Sequence, residues 1–205
     1  MPDDASTRLQ ADRLRAELTN LPNLLTMARI VLIVPVVWLM LERAPLPAFL
    51  ASVLFGVASA TDWLDGYLAR KRGMVSVLGK LLDPLADKLI VMSTLVVAVG
   101  LGWVPAWLVV LILARELAIS GLRSIAGQEG LMVEVVRAGK WKTAFQLTGL
   151  VGVVVHYPYE VHFGFATTVV DFGAMGLGLL GLSLVFSLAS AGIYFRNFLR
   201  ALAAR

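Results

Sequence analysis

Asp62-Trp-Leu-Asp65-Gly66-Tyr-Leu-Ala69-Arg70, followed after eight residues by Gly79-Lys-Leu-Leu-Asp83-Pro84-Leu-Ala-Asp87, sets four aspartates on a fixed grid within 26 residues. An aspartate in an apolar span costs ~2.5–3.5 kcal/mol on insertion scales, so a cluster of them marks a functional site. Residues three or four apart on a helix share a face. Asp62 and Asp65 therefore point one way on one helix, and Asp83 and Asp87 one way on the next. If the two helices are neighbours, four carboxylates converge on one volume, with Gly66, Ala69 and Gly79 as small surfaces for close approach. Four mutually repelling carboxylates need cations, and an all-oxygen donor set favours Mg²⁺, Mn²⁺ or Ca²⁺ over zinc or copper. Magnesium commonly pairs a few carboxylates with substrate phosphates, which points to phosphoryl chemistry on a diphosphate. Arg70, Lys71, Arg72 and Lys80 border the grid and can neutralise further phosphate oxygens. Taken singly the parts are blander: Asp83 before Pro84 has the form of a helix cap, and residues 70–72 that of a membrane-surface anchor. Their joint spacing carries the reading.

The surrounding chain reads as a membrane protein. Of 205 residues, 59% are hydrophobic, against ~45–50% in a soluble domain. Apolar runs at 21–41, 46–62, 81–101, 104–122, 143–155 and 172–194 are read as six spans. About 20 apolar residues cross a hydrocarbon core of ~30 Å, and the short fifth run extends back through Trp141. The expected fold class is all-α: a polytopic membrane protein with six transmembrane helices and an N-terminal cytoplasmic surface segment. Its parts are residues 1–20, a juxtamembrane segment; 21–198, the six-helix domain; and 199–205, a cytoplasmic tail. Residues 1–20 carry seven charges and no apolar run, so they do not read as a signal peptide. The absence of cysteine excludes disulfides, thiolate metal sites and thiol nucleophiles.

A net charge of +4 is explained by topology, with no call on nucleic acid. With the N-terminus inside, fourteen of the eighteen Lys and Arg residues fall in the tails or inner loops, and Arg43 alone in an outer loop. That bias places both termini and the aspartate grid on the cytoplasmic side. The outer turns are short: Pro45 and Pro47 mark one, Gly100, Gly102 and Pro105 the next, and residues 156–160 the third. Trp103, Trp107, Tyr157 and Tyr159 suit an interfacial aromatic belt. His156 and His162 read as exposed interfacial residues on this outer side, and Asp171 as the cap of the last span.

The pattern D-x-x-D-G-x-x-A-R-x8-G-x3-D-x3-D is matched at Asp62, Asp65, Gly66, Ala69, Arg70, Gly79, Asp83 and Asp87. It resembles the signature of the CDP-alcohol phosphatidyltransferases. The resemblance implies a six-helix membrane enzyme, commonly a homodimer, that displaces CMP from a CDP-linked lipid with an alcohol. It further implies that Asp62, Asp65 and Asp83 hold Mg²⁺ or Mn²⁺, two ions per site, with Asp87 as shared ligand or general base. Gly66, Arg70, Ser76 and Gly79 fall where the family contacts the CDP moiety, and Asn23, Thr26 and Arg29 resemble its N-terminal helix start near nucleotide or acceptor.

The grid does not choose the alcohol. Residues 114–123 and 139–146 look like the bacterial branch of the family that loads CDP-diacylglycerol onto sn-glycerol 3-phosphate. Arg115 lies midway along an apolar run, Arg123 two turns further on one face, and Lys140 and Lys142 enter the fifth span. Together with Arg29 they form the expected acceptor-phosphate set. Membrane-surface anchoring by Lys140 and Lys142, and an ion pair between Arg115 and Glu116, remain open at this stage. So do sister acceptors (inositol phosphate, serine, phosphatidylglycerol) and, from another class, a divalent-cation transporter. Transporters usually show repeated halves with sites at the bilayer midplane, whereas these acids are confined to one junction.

Overall fold

Apolar runs become long helices throughout. The computed structural model describes the backbone of residues 21–72, 77–131, 138–162, 164 and 167–203. Within it, side chains are described for all but 21–22, 62–72, 77–84, 87 and 138–140. Among the described residues there are six helices: α1 Leu21–Leu41, α2 Pro45–Arg72, α3 Val77–Gly100, α4 Ala106–Gln128, α5 Ala138–Val155 and α6 Phe172–Ala203. The last continues through most of the expected tail. α1 packs on both α2 and α3, the two helices that carry the aspartate pairs; α5 packs on α2 and α6, and α4 on α6.

The distribution of polarity is inverted relative to a water-soluble bundle. Val31, Val34 and Trp38 on α1 are 68%, 70% and 62% exposed, while Asn23, Thr26 and Arg29 on its other face are buried. Ser183, Ser187 and Ser190 are likewise buried on α6, with Val185 and Leu188 outward. Apolar surface facing out and polar groups facing in are what a lipid solvent selects, because only the interior offers hydrogen-bond partners. Among the described residues, Asn23–Leu41 and Phe172–Ala203 are long and apolar enough to cross a membrane. The apolar parts of α2, α3 and α5 are shorter, and α4 interrupts its own with Arg115 and Glu116.

The two ends of the bundle differ. At one end the turns meet: Trp103 stacks on His156 with ring centroids 4.1 Å apart, and the Tyr159 hydroxyl donates to the Pro45 carbonyl at 2.8 Å. Below them an apolar core runs through Val36, Phe55, Leu95, Ile112, Leu150 and Leu180. Most of the buried polar side chains, Asn23, Thr26, Arg29, Lys142, Gln146, Ser187 and Ser190 among them, lie toward the other end, where α1, α3 and α5 begin and α2, α4 and α6 finish.

Two local features differ from the sequence expectation. The third outer turn is a β-hairpin, β1 Pro158–His162 antiparallel to β2 Thr167–Asp171, with Tyr159 opposite Val170 and Val161 opposite Thr168. Val161, Thr167, Thr168, Val169 and Val170 are β-branched, and such side chains suit a pleated ribbon better than a tight turn. His156 is half-buried against Trp103, while His162 is exposed as expected. Asp171 does cap the last helix, its Oδ1 accepting from the Ala174 N–H at 2.9 Å.

The tightest helix contact rests on glycine. A Cβ added at Gly176 of α6 would lie 2.3 Å from Val153 N and 2.6 Å from Gly149 O on α5, and one at Gly149 would lie 2.9 Å from Gly176 O. Only hydrogen at these positions lets the two backbones touch, the small-residue packing typical of membrane helices.

Candidate active site

Arg115, midway along α4, is held at three corners. Its Nε donates to the Ser187 carbonyl at 3.1 Å, Nη2 to Ser190 Oγ at 2.9 Å, and Nη1 to Glu116 Oε1 at 3.2 Å. Ser187 and Ser190 stand three apart on α6, so one helical face receives the guanidinium fork. Glu116 Oε1 also accepts from Lys142 Nζ on α5. One carboxylate is thus shared by two cations, whose side chains are each only 10% exposed.

These groups line a cavity of about 480 Å³ whose wall also includes Lys88 of α3, Ser120 and Arg123 of α4, and Gln146 of α5. Lys88 Nζ donates to Ser120 Oγ, joining α3 to α4 across the cavity. The Arg123 guanidinium carbon sits 5.8 Å from the centroid of the Tyr194 ring on α6, a cation–π contact that steadies the outer cation. Among the described residues, four cationic side chains face one carboxylate on this wall. In a partly dry site such an excess of positive charge attracts an anion more strongly than it would in water.

The structure therefore brings Arg115, Arg123 and Lys142 to one cavity, and the Arg115–Glu116 ion pair is present beside them. Arg29 is not on that wall. It is buried between α1 and α2, with Nε donating to the Ala58 carbonyl at 3.2 Å. Asn23 and Thr26 are buried on the same face of α1. Asp62, Asp65, Gly66 and Arg70 fall on α2, and Gly79, Asp83 and Asp87 on α3; their side chains, and that of Lys140 on α5, lie outside the described residues. Ser76 lies outside them altogether.

The α6 serines had no part in the sequence reading, and Ser120 and Gln146 were not named as site residues. Lys88 stood out as a charge inside an apolar run directly after Asp87, but was not placed in the acceptor set. It also ties the cavity to the helix that carries the second aspartate pair. Ser187 and Ser190 gave no signal, because serine is unremarked on any helix until its partner is known.

A model of the CDP-alcohol phosphatidyltransferase family matches residues 19–188, and the chain belongs to that family. Within it, the chain is 41% identical over 161 residues to the CDP-diacylglycerol–glycerol-3-phosphate 3-phosphatidyltransferase of Bacillus subtilis, covering 72% of this chain and 83% of that protein. It is 36% identical over 166 residues to the protein of the same name from Rickettsia typhi, covering 81% and 84%. A third protein of that name, from Rickettsia bellii, is 41% identical over 131 residues, covering 64% and 72%.

Proposed function

We propose that this chain transfers the phosphatidyl group of CDP-diacylglycerol to sn-glycerol 3-phosphate, releasing CMP, as a step of phospholipid synthesis in the bacterial cytoplasmic membrane. The observation that carries the acceptor choice is the cavity in which, among the described residues, Lys88, Arg115, Arg123 and Lys142 face Glu116, a surplus that suits a phosphorylated alcohol. The names of the relatives support the same acceptor.

In this reading α1–α6 all span the bilayer, the termini and both substrate sites face the cytoplasm, and the protein works as a homodimer. The donor set fits a divalent metal: four carboxylates, all hard oxygen ligands, on two helices that share α1 as neighbour. Asp62, Asp65 and Asp83 would hold Mg²⁺ or Mn²⁺, with Asp87 as shared ligand or base. When bound, the ions supply charge neutralisation on the diphosphate. Asn23, Thr26, Gly66, Arg70, Ser76 and Gly79 bind the CDP-lipid. Arg29, Arg115, Arg123, Lys140 and Lys142, joined by Lys88, serve the acceptor phosphate, Arg29 also tying α1 to α2 through its Nε.

The reaction balances simply. A free hydroxyl oxygen of the acceptor bonds to the lipid-bearing phosphorus, the bond from that phosphorus to the CMP oxygen breaks, and Asp87 takes the hydroxyl proton. The test is CMP release from CDP-diacylglycerol by purified protein offered each alcohol in turn. Release with sn-glycerol 3-phosphate is expected. Turnover with myo-inositol phosphate, serine or phosphatidylglycerol in its place would overturn the acceptor assignment.

A further inference from the structure

Among the described residues of the cavity wall, Glu116 is the one anion beside four cations. Nε and Nη2 of Arg115 are taken up by α6, so Nη1 is the corner that Glu116 holds. The same Oε1 holds Lys142. A phosphate that binds Nη1 and Lys142 at the corner Glu116 occupies competes with the carboxylate for both.

We infer that Glu116 is a specificity-determining residue: a tethered counter-anion that occupies the acceptor-phosphate corner and yields only to a dianion. This rests on the reading of the cavity as the acceptor site. The physical basis is a competition of charges. A phosphate dianion gains about twice the Coulomb attraction of a single negative charge toward the same two cations. A neutral or singly charged compound gains no more than the release of Glu116 forfeits, and so is excluded. Specificity of this kind comes from a built-in competitor as much as from attraction to the right ligand. Glu116 also keeps Arg115 and Lys142 from repelling each other while the cavity holds no substrate.

The experiment uses the full chain in detergent or liposomes at about pH 8, where inorganic phosphate is mainly a dianion, with phosphate and methanesulfonate as dianionic and monoanionic competitors of the acceptor. In the parent protein, phosphate competes with glycerol 3-phosphate and methanesulfonate does not. In Glu116→Gln both compete, methanesulfonate binding rising on the order of tenfold, the scale of one charge-assisted hydrogen bond. The KM for glycerol 3-phosphate falls, the KM for CDP-diacylglycerol does not move, and Glu116→Asp keeps the parental discrimination. Glu116→Ser is a second neutral variant with the same expected pattern. Discrimination unchanged in the neutral variants, or phosphate competition weakened together with a raised acceptor KM, would overturn the proposal; the latter would make Glu116 a prop for Lys142. Lys142→Ala separates the two levels. If it leaves acceptor KM and phosphate inhibition untouched, the acceptor-site reading itself fails; if it raises acceptor KM while Glu116→Gln keeps its exclusion of methanesulfonate, only the role of Glu116 does.

Discussion

Arg115 Nη2 on α4 lies 2.9 Å from Ser190 Oγ on α6, so a cation of the cavity is aimed by a helix that contributes no charge to it. Ser190→Ala removes that acceptor while leaving Glu116 and the Ser187 carbonyl in place. The expected loss is ~1–2 kcal/mol of stability, as for a hydrogen bond to a charged group shared between helices. Thermal unfolding in detergent reads that loss. The KM for glycerol 3-phosphate rises several-fold alongside it, and the KM for CDP-diacylglycerol stays put.

The α5–α6 seam makes a sharper stability prediction. Gly176→Ala drives a methyl group into Val153 N and Gly149 O, which are backbone atoms and cannot rotate away. Overpacking of this kind costs roughly 1–3 kcal/mol or more. Gly178→Ala, two residues along the same helix, meets nothing within 4 Å and is tolerated. A drop in melting temperature for the first and none for the second is the expected result; equal behaviour would mean that the seam is not closed as described.

The aspartate grid is tested through its metal and its base. Chelation of divalent ions abolishes CMP release, and added Mg²⁺ or Mn²⁺ restores it. Asp87→Asn lowers turnover by ~10²–10⁴, the usual contribution of a general base, with Mg²⁺ still bound. Near-normal turnover in that variant would remove Asp87 from the role of base and leave it a ligand at most.

His156 provides a pH dependence on the hairpin side of the bundle. Burial lowers its pKa below the ordinary value of 6.5, and the nearby Asp171 carboxylate offsets part of that. The fold thus prefers the neutral imidazole stacked on Trp103. The unfolded chain binds the proton first as pH falls, so His156 contributes its stability above about pH 6.5 and loses it progressively below. Trp103 emission and melting temperature, followed from pH 8 to pH 5, should both decline at the acid end. His156→Phe, which keeps an aromatic partner and cannot titrate, should flatten the curve.

Much of the architecture was legible because a lipid solvent leaves few options. An apolar run must be a helix to satisfy its own backbone, and all six runs are helical, the fourth and sixth continuing past their expected ends to Gln128 and Ala203. The second extends past its expected end, through the aspartates to Arg72, since Gly66 and Ala69 do not break a helix whose neighbours support it. The hairpin at 158–171 was hidden because ten residues of strand carry no periodicity that separates them from a loop. Arg29 shows a limit at the site: the chain alone does not say that its Nε donates to the Ala58 carbonyl of α2, nor that it lies off the wall shared by Arg115 and Lys142.

The spacing of Asp62, Asp65, Asp83 and Asp87 put each pair on one helical face, and the full pattern with Gly66, Ala69, Arg70 and Gly79 carried the resemblance to the family that residues 19–188 match. The cavity was different. Lys88, Glu116, Lys142 and Ser190 come from four helices and are separated by up to 102 positions, so no local rule relates them. Helix packing alone decided that Glu116 would be shared by two cations, that the α6 serines would aim Arg115, and that Arg29 would stand apart. Such contacts depend on which faces meet and at what distance, and the glycine seam between α5 and α6 helps set both.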